Sequence, residues 1–546
     1  MAHINDLPAD VLAQIISKAA ATPANRLSQW KAKLPLLAVC RAWTKQAIGA
    51  VFNQVYVELF DACPHCDLPM AALAYDNNLT LTSNVGLFIS RNCTLLARHL
   101  KIELADRATT DHLLCIVVII LKLHHVDWMY INTLTITGPR WACKHTFDLN
   151  RIEETSNAEV GLAVQFFATN MRNLVEFNLT YPNIGFVGEH FYATLVSAYG
   201  GQLQVLRALS LNLFPISIFS RNVRVLELSL DSLATRVLPS ICGETLKVLK
   251  LEKVPRNFAW HCFRYDDLFD QHIVFRQLAV LQLDFKHEEK AHTEDDVRNK
   301  IASGAYNCDQ LCFPALKQLS IYNCTPDCDL LYADTPFPKL KKVNLSGPFR
   351  CIRHCSRLKL TWVRELSVVI FSADSDDTAE LYRVTNRFFT NICIGRTASL
   401  RIYADWFILD PELMRWVNLT KLDIRKVSYA TVCKAIGQLP NLCELTIHNL
   451  EFSSVVTDSF PTDSSLFTSP DLILAWGAKL KLIVIVEFNE DYPLPVCASG
   501  IQALILHAGV LSRLEVSRLV IQHVAALINM HKDRYPHLAN IQLWKK

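Results

Sequence analysis

Cysteine and histidine residues at short spacing are the first groups in this chain that could do chemistry. The segment 63–66 reads Cys-Pro-His-Cys, which is the spacing of a zinc knuckle. A structural zinc site needs two further ligands at comparable spacing. Cys93 and the neighbouring Cys143 and His145 do not form such a matched pair. We therefore expect a loop with two free thiols here, and a zinc site is the alternative.

A second group of cysteines lies further along the chain. The spacing Cys-x3-Cys occurs at Cys308/Cys312, Cys324/Cys328 and Cys351/Cys355. The second and third of these pairs, with His354 beside Cys355, form a nominal four-cysteine zinc set, and Cys308 and Cys312 are judged in the same way. Cysteine at the end of a strand is usually a small buried hydrophobic residue. We therefore expect no metal ion at these positions.

Catalytic signatures do not occur in the sequence. We find no phosphate-binding glycine loop, no serine nucleophile elbow and no His-Glu-x-x-His motif. The segment 287–289 (His-Glu-Glu) begins like the last of these but lacks the second histidine. The chain has only 16 glycines, which disfavours glycine-rich ligand loops. We expect a protein that is not an enzyme and has no cofactor, and a metal-dependent or other enzyme is an alternative.

The first residues of the chain contain two short amphipathic segments. Proline favours an extended conformation in the residue before it and can itself occupy the first helical turn. Leu7-Pro8 therefore predicts the start of a helix, with Asp6 as its N-cap. The apolar stripe of that helix comprises Val11, Leu12, Ile15 and Ile16. The second segment carries Leu36, Leu37, Val39, Cys40, Trp43 and Ile48. Helices this short must pack together and against a partner to bury both stripes.

In this order, Leu-Pro, an apolar helix and then Val-Cys-Arg-x-Trp, the segment resembles an F-box. That module docks a protein onto the Skp-family adaptor of a cullin ubiquitin ligase. The resemblance covers residues 1–51, and the connection between Ile16 and Leu36 is longer than in the family. The alternative is an ordinary helical cap. The resemblance implies that the adaptor binds a set of apolar residues, namely Leu7, Pro8, Val11, Leu12, Ile15, Val39, Cys40 and Trp43.

Composition limits the class of protein. A chain of 546 residues exceeds one ordinary core, and a composition with 51% hydrophobic and 20% charged residues is typical of ordered protein. The 55 basic and 52 acidic residues are too balanced to predict nucleic-acid binding. The N-terminus has no signal-peptide pattern, and the longest apolar run, Leu113–Leu121, is too short to cross a bilayer. We expect reduced cysteines, a cytoplasmic and/or nuclear location, and no membrane partner.

A six-residue pattern, apolar-x-x-apolar-x-apolar, recurs through the chain from about residue 170 onward. Several copies start roughly 23 residues apart, which is within the length range of leucine-rich repeats. Each copy predicts a short strand whose alternate residues are buried, and stacked copies form a parallel sheet. We predict connecting helices at 376–392 and 430–439. The copies start at Leu174, Leu206, Val223, Leu246, Leu278, Leu316, Leu340, Val363, Leu419, Leu442, Leu480, Ile501 and Leu538.

We therefore predict an α/β protein in which an F-box-like helical module at 1–51 precedes a leucine-rich-repeat solenoid. The solenoid would be right-handed, with its parallel sheet on the concave face. Residues 52–170 would be a degenerate start of the solenoid, with a strand at 55–59 and degenerate repeats at 97–102 and 132–136, and 171–546 would be its main part. The sequence resembles leucine-rich-repeat F-box proteins in an irregular form, because few repeats have asparagine after the strand. Cys324 lies near such a position.

The third and fifth positions of each pattern, and the residue after the strand, line the concave face in that family. Both charge signs alternate there, with tyrosines between them, which suits a protein or peptide better than a phosphate backbone. The predicted target-binding residues are Lys250, Asp284, Tyr322, Lys342, Arg401, Tyr403, Asp423, Arg425 and His448. Near the C-terminus, Leu482 and Val484 are apolar at such positions. We expect another segment to bury them, and an apolar binding patch is the alternative.

From these expectations we predict that the chain is the substrate-recognition subunit of a cullin-type ubiquitin ligase. The N-terminal module would bind the Skp-family adaptor, and through it a cullin, while the repeats would bind an unknown target protein. A leucine-rich-repeat interaction scaffold with a helical cap and no ligase link is the alternative.

Overall fold

The computed structural model describes residues 11, 14–15, 31, 33–37, 41–59, 81–104, 128–137, 161, 164–180, 194–208, 222–229, 244–254, 265–266, 271–272, 274–286, 313–324, 337–348, 363–370, 396–403, 417–428, 432, 439–451, 479–486, 510–517, 520–533 and 536–545. The chain divides into two compact units. The first comprises Met1–Lys253 and Tyr265–Ile273, and the second comprises Val254–Arg264 and Val274–Lys546. In the ranges given above, no helix has the length and apolar character needed to cross a membrane.

The first unit contains helical turns and a mostly parallel sheet. A 3-10 helix (Leu34–Leu37) leads into helix α1 (Arg41–Val51). Helix α2 (Val85–Ser90) and a 3-10 helix (Thr94–Leu96) lie between β2 and β3. The strands are β1 (Gln54–Leu59), β2 (Leu81–Ser83), β3 (His99–Leu104), β4 (Thr133–Thr137), β5 (Glu176–Thr180), β6 (Val205–Ala208), β7 (Val225–Ser229), β8 (Val248–Val254), and the short β9 (Tyr265–Asp266) and β10 (Gln271–His272).

Strand pairing in the first unit follows chain order. β1 pairs in parallel with β3, and each strand from β3 to β7 pairs in parallel with the next. β2 instead runs antiparallel to β1, and β9 and β10 form a separate antiparallel pair. Nothing in the sequence pattern predicted β2.

The second unit is a parallel sheet with helical turns at its C-terminal end. Its described strands pair in parallel with their successors from β11 to β20. Helix α3 (Ile521–His531) and a 3-10 helix (Pro536–Asn540) lie between β19 and β20. The strands are β11 (Val280–Phe285), β12 (Gln318–Tyr322), β13 (Lys342–Gly347), β14 (Glu365–Ile370), β15 (Ser399–Tyr403), β16 (Lys421–Ser428), β17 (Glu444–Glu451), β18 (Leu482–Ile485), β19 (Arg513–Val516) and β20 (Gln542–Lys545).

The six-residue pattern accounts for the two faces of these strands. In β5, Phe177 and Leu179 are buried, while Glu176 before them and Asn178 between them are half-buried. The same alternation holds in β6, β11 and β15. One short parallel strand per repeat, with alternate apolar residues buried, confirms the predicted leucine-rich-repeat fold. The division of the chain into the three predicted ranges stays a prediction.

The same pattern extends into the range 52–170. The buried residues Phe52, Ala97 and Ile131 occupy its first position ahead of β1, β3 and β4. The strand predicted at 55–59 is therefore present as β1, and the degenerate repeats predicted at 97–102 and 132–136 contain β3 and β4. A degenerate repeat keeps its strand because burial of the alternate apolar residues is enough to select the extended conformation.

A tight turn precedes many of the strands. In Phe313-Pro314-Ala315-Leu316 the N–H of Leu316 donates to the carbonyl oxygen of Phe313 at 3.3 Å. The same bond closes the turn from Phe337 to Leu340 at 3.1 Å. Both turns have proline at their second position, where its fixed φ suits a type I turn. The phenylalanines that begin the turns also contact each other, because the ring centroid of Phe313 lies 5.8 Å from Phe275 and 6.1 Å from Phe337.

Two repeats were missed by the sequence pattern. Thr397 holds the first position ahead of β15, and this polar residue is buried, with its hydroxyl 3.4 Å from the carbonyl oxygen of Val363. A hydrogen-bonded threonine thus replaces the expected leucine. The second missed repeat runs from Leu511 to Val516 and forms β19. The copy predicted at Ile501 lies outside the described residues.

The remaining predicted elements are only partly within the described ranges. The helix predicted at 376–392 lies outside them. Within 430–439, Val432 is helical and buried and Leu439 is buried. Val484 is 6% exposed and Leu482 is half-buried. The burial of Val484 agrees with the expectation at this end, whereas Leu482 is only partly covered.

Candidate protein-interaction site

The predicted adaptor-binding residues are described only in part. Val11 and Ile15 both lie in helical conformation, and their side chains are 36% and 37% exposed. Residues four apart lie on the same face of a helix. Both residues are exposed and apolar, and their binding to the adaptor stays a prediction. Trp43 lies in α1, but its side chain is not among the described ones. Outside the described residues lie Leu7, Pro8, Leu12, Val39 and Cys40.

Several predicted target-binding residues meet on three neighbouring strands of the second unit. The Arg401 guanidinium donates through Nε to Asp423 Oδ2 at 2.8 Å. Tyr403 Oη lies 2.6 Å from His448 Nε2 and 3.5 Å from Asp423 Oδ2. The rings of Tyr403 and His448 meet edge to face with centroids 4.8 Å apart. We call Arg401, Tyr403, Asp423 and His448 the β15–β17 cluster.

Strand register brings the β15–β17 cluster together. Arg401 lies directly opposite Asp423 in the parallel pair of β15 and β16. Alternation along β15 then places Tyr403 on the same face as Arg401. The guanidinium carbon of Arg401 lies 5.6 Å from the centre of the Tyr403 ring, a cation–π distance. The cluster thus joins residues from three repeats that are far apart in sequence.

The electrostatics of the cluster keep Tyr403 neutral. Burial, and then the negative charge of Asp423, raise the pKa of Tyr403 to about 12, while the positive charges of Arg401 and Arg425 act in the opposite direction. With His448 Nε2 unprotonated, the neutral phenol donates its hydrogen to that nitrogen. With Nε2 protonated, the ring donates to the phenol oxygen. The cluster can therefore present its donors and acceptors in two arrangements.

Asp423 carries an oxygen whose hydrogen bonding is incomplete. Its Oδ1 is buried and has no hydrogen-bond partner among the described residues. His448 Nε2 lies 3.1 Å away, which is an ion-pair distance. An unsatisfied buried acceptor costs about 1–3 kcal/mol. Because this atom is closed to solvent, a docked partner does not reach it, and a His448 tautomer with hydrogen on Nε2 would satisfy it from within the cluster.

The other predicted target-binding residues lie elsewhere in the fold. In the first unit, Lys250 pairs with Glu227 at 2.9 Å. In the second unit, Asp284 accepts a hydrogen bond from Asn323 at 2.7 Å. Lys342 pairs with its cross-strand neighbour, Glu365, at 3.3 Å. Tyr322 lies opposite Asp284 in the register of β11 and β12, and Arg425 is exposed on β16.

The first unit has an ion-pair chain that the sequence did not predict. Arg207 pairs with Glu176 at 2.6 Å and with Glu227 at 3.3 Å, and Glu227 continues to Lys250. Arg207 also donates to the Asn178 side chain at 2.9 Å. The sequence did contain a signal for this ion-pair chain, since all these residues hold outward positions of consecutive repeats. What was missing was the register that places opposite charges side by side.

The cysteines give no metal centre within the ranges that the structure describes. Cys324 is buried, and its N–H donates to the Ser346 carbonyl oxygen at 2.9 Å, at the position where leucine-rich repeats have asparagine or cysteine. Cys93 is also buried and has a free thiol. The other members of the proposed zinc sets lie outside the described residues: Cys63, His65, Cys66, Cys143, His145, Cys308, Cys312, Cys328, Cys351 and Cys355.

Titration of Tyr403 tests the electrostatics of the β15–β17 cluster. We expect this phenol to titrate near pH 12, above the ordinary value of 10. The folded-state pKa lies above the unfolded one, so the stability that the neutral phenol contributes is fully present below pH 10 and is lost as the pH rises through about 12. The measurement is the tyrosinate absorbance of the native chain minus that of Tyr403→Phe. Asp423→Asn should lower the pKa of Tyr403, because it removes the negative charge beside the phenol. A pKa near 10 for Tyr403 in the native chain would contradict the arrangement.

No protein-family model matches this sequence, and no curated protein matches it. Three solved structures are similar to the chain. One is a chain of the Rad7–Elc1 complex from yeast, with 13% identity, coverage of 82% of this chain and 93% of that chain, and a TM-score of 0.32. Another belongs to the Toll–Spatzle complex of Drosophila, with 11% identity, coverage of 85% and 50%, and a TM-score of 0.34. The third is a leucine-rich-repeat protein of Leptospira interrogans, with 12% identity, coverage of 89% and 99%, and a TM-score of 0.29. These similarities are low, and the leucine-rich-repeat fold of this chain follows from its own strands and their register.

Proposed function

We propose that this chain is the substrate-recognition subunit of a cullin-type ubiquitin ligase. Its N-terminal helices bind the Skp-family adaptor, and through it a cullin, while the repeats bind a target protein. The exposed pair Val11 and Ile15 supports this proposal, because a cap packed on its own repeats would cover these side chains. The segment that carries them is the one that resembles an F-box.

The β15–β17 cluster is the surface that we propose for the target. Arginine and tyrosine are the residue types that most often dominate binding energy at protein interfaces. Arg401 is more than half exposed, so its guanidinium is open to a target. A target that offers a carboxylate would pair with this guanidinium.

In this proposal the chain is not an enzyme and needs no cofactor. Other subunits would transfer ubiquitin, and the chain would contribute by holding the target near them. The cytoplasm and/or the nucleus is the location that fits such a role, because cullin ligases act there and reduced cysteines are stable there.

Co-expression with a Skp-family adaptor tests the proposal. We expect stoichiometric co-purification with the native chain. We expect Val11→Asp/Ile15→Asp to weaken adaptor binding at least about tenfold, because the complex would bury two carboxylates against an apolar surface. Affinity is measured by titration calorimetry on the purified partners.

The matched control for this experiment is Val417→Asp/Val510→Asp. These valines are 55% and 47% exposed and lie in the repeats of the second unit, so the control adds the same charges away from the helices. It should bind the adaptor as the native chain does. A folded native chain that does not bind the adaptor would rule out the ligase role and leave the alternative, a leucine-rich-repeat interaction scaffold with a helical cap.

A further inference from the structure

A row of basic residues lies just ahead of three consecutive strands in the second unit. Lys317, Lys341 and Arg364 immediately precede β12, β13 and β14, and all three side chains are exposed. Main-chain hydrogen bonds join them directly. The N–H of Lys341 donates to the Lys317 carbonyl oxygen at 2.8 Å, and the N–H of Arg364 donates to the Lys341 carbonyl oxygen at 2.8 Å. These residues are therefore cross-strand neighbours, with backbones roughly 4.8 Å apart. We call them the basic row.

Further cations flank the basic row. Arg276, Lys339 and Arg396 are exposed in the turns that precede β11, β13 and β15. They lie at the same end of the strands as the basic row, because the strands are parallel and each turn comes just before its strand. One edge of the sheet thus carries positive charge over consecutive repeats.

The basic row differs from the charged residues on the strands themselves. On the strands, neighbouring charges alternate in sign and pair, as Lys342 does with Glu365 at 3.3 Å and Lys421 with Glu444 at 2.7 Å. Within the described part of the chain, no carboxylate pairs with Lys317, Lys341 or Arg364. Like charges side by side on adjacent strands repel each other and lower stability. A partner of opposite charge would remove this repulsion.

We propose that the basic row binds an acidic segment of a protein partner. Carboxylate side chains would lie over the three cations, with the flanking cations extending the attraction along the sheet edge. A protein segment fits better than a nucleic acid, because a phosphate backbone is bound through many cations, whereas this chain is close to neutral, with 55 basic and 52 acidic residues. A short acidic peptide needs only the few cations of the basic row. Binding of this kind does not depend on the adaptor.

The proposal is tested with a fluorescein-labelled peptide of alternating glutamate and glycine, without adaptor present. Fluorescence anisotropy should show binding to the native full chain that weakens as salt rises from about 50 mM to about 300 mM, since salt screens exposed charges. The variant Lys317→Gln/Lys341→Gln/Arg364→Gln should bind the peptide about tenfold more weakly, through loss of three exposed ion pairs.

A control variant, Arg91→Gln/Lys532→Gln/Lys545→Gln, removes the same charge at other exposed positions and should bind within about twofold of the native chain. The proposal is overturned if the basic-row variant binds as the native chain does, or if single-stranded oligothymidylate binds more tightly than the peptide and loses affinity in the same variant. Should the triple variant fail to fold, Lys341→Glu alone gives the same comparison. Because no adaptor is used, failure here is distinct from failure of the ligase role.

Discussion

Replacing Phe313 by alanine is expected to lower the free energy of unfolding of the second unit by about 3–5 kcal/mol. The ring of Phe313 is buried between those of Phe275 and Phe337, with centroids 5.8 Å and 6.1 Å away. Its removal leaves a cavity that touches three consecutive repeats. Each repeat contacts only its neighbours, so one cavity weakens two interfaces at once. The loss is measured from urea unfolding curves that are monitored by circular dichroism.

The conservative variant Phe313→Leu separates packing from other effects. Leucine keeps most of the apolar volume, so we expect a cost below about 1.5 kcal/mol. Phe313 also starts the turn that the N–H of Leu316 closes, but the acceptor there is a backbone carbonyl, which both variants keep. Equal losses of stability in the two variants would show that Phe313 acts through the turn conformation and not through its ring contacts.

Replacing Gly347 by alanine should be the second most damaging change, with a loss of about 1–3 kcal/mol. Gly347 ends β13, and a β-carbon there would collide with the Cys324 thiol and lie 2.9 Å from the Cys324 backbone nitrogen. That nitrogen donates to the Ser346 carbonyl oxygen at 2.9 Å, so it cannot move without loss of the bond between neighbouring repeats. The loss is measured from urea unfolding curves of the native chain and the variant.

Two further variants test the cause of this loss. Cys324→Ala in the Gly347→Ala background removes the contact with sulfur but not the one with the backbone nitrogen, so it should restore only part of the stability. Gly86→Ala is the matched control, because Gly86 lies in α2 and an added β-carbon there has no neighbour within 4 Å. It should be neutral or stabilising, since alanine favours a helix more than glycine does. A loss at Gly347 no larger than at Gly86 would contradict the close approach.

Local sequence determined the fold of this protein. Alternate apolar residues decide which face of a strand is buried, and proline at the second turn position sets the start of strands such as β12 and β13. The two exceptions depend on neighbouring strands. Thr397 is a polar residue at an apolar position, and its hydroxyl bonds the Val363 carbonyl oxygen of the neighbouring repeat. Strand β2 lacks the repeat pattern and pairs antiparallel with β1.

Only the tertiary structure decided which exposed residues meet. Arg401, Tyr403, Asp423 and His448 were each predicted to face a target, but nothing local to one repeat shows that they touch. Arg207 and the basic row likewise depend on neighbouring repeats that stack in register. Burial of apolar residues is read from periodicity within a few residues, so the sequence alone reveals it. Contacts between side chains of different repeats depend on cross-strand register, which all the repeats and their turns fix together, so only the folded chain reveals it.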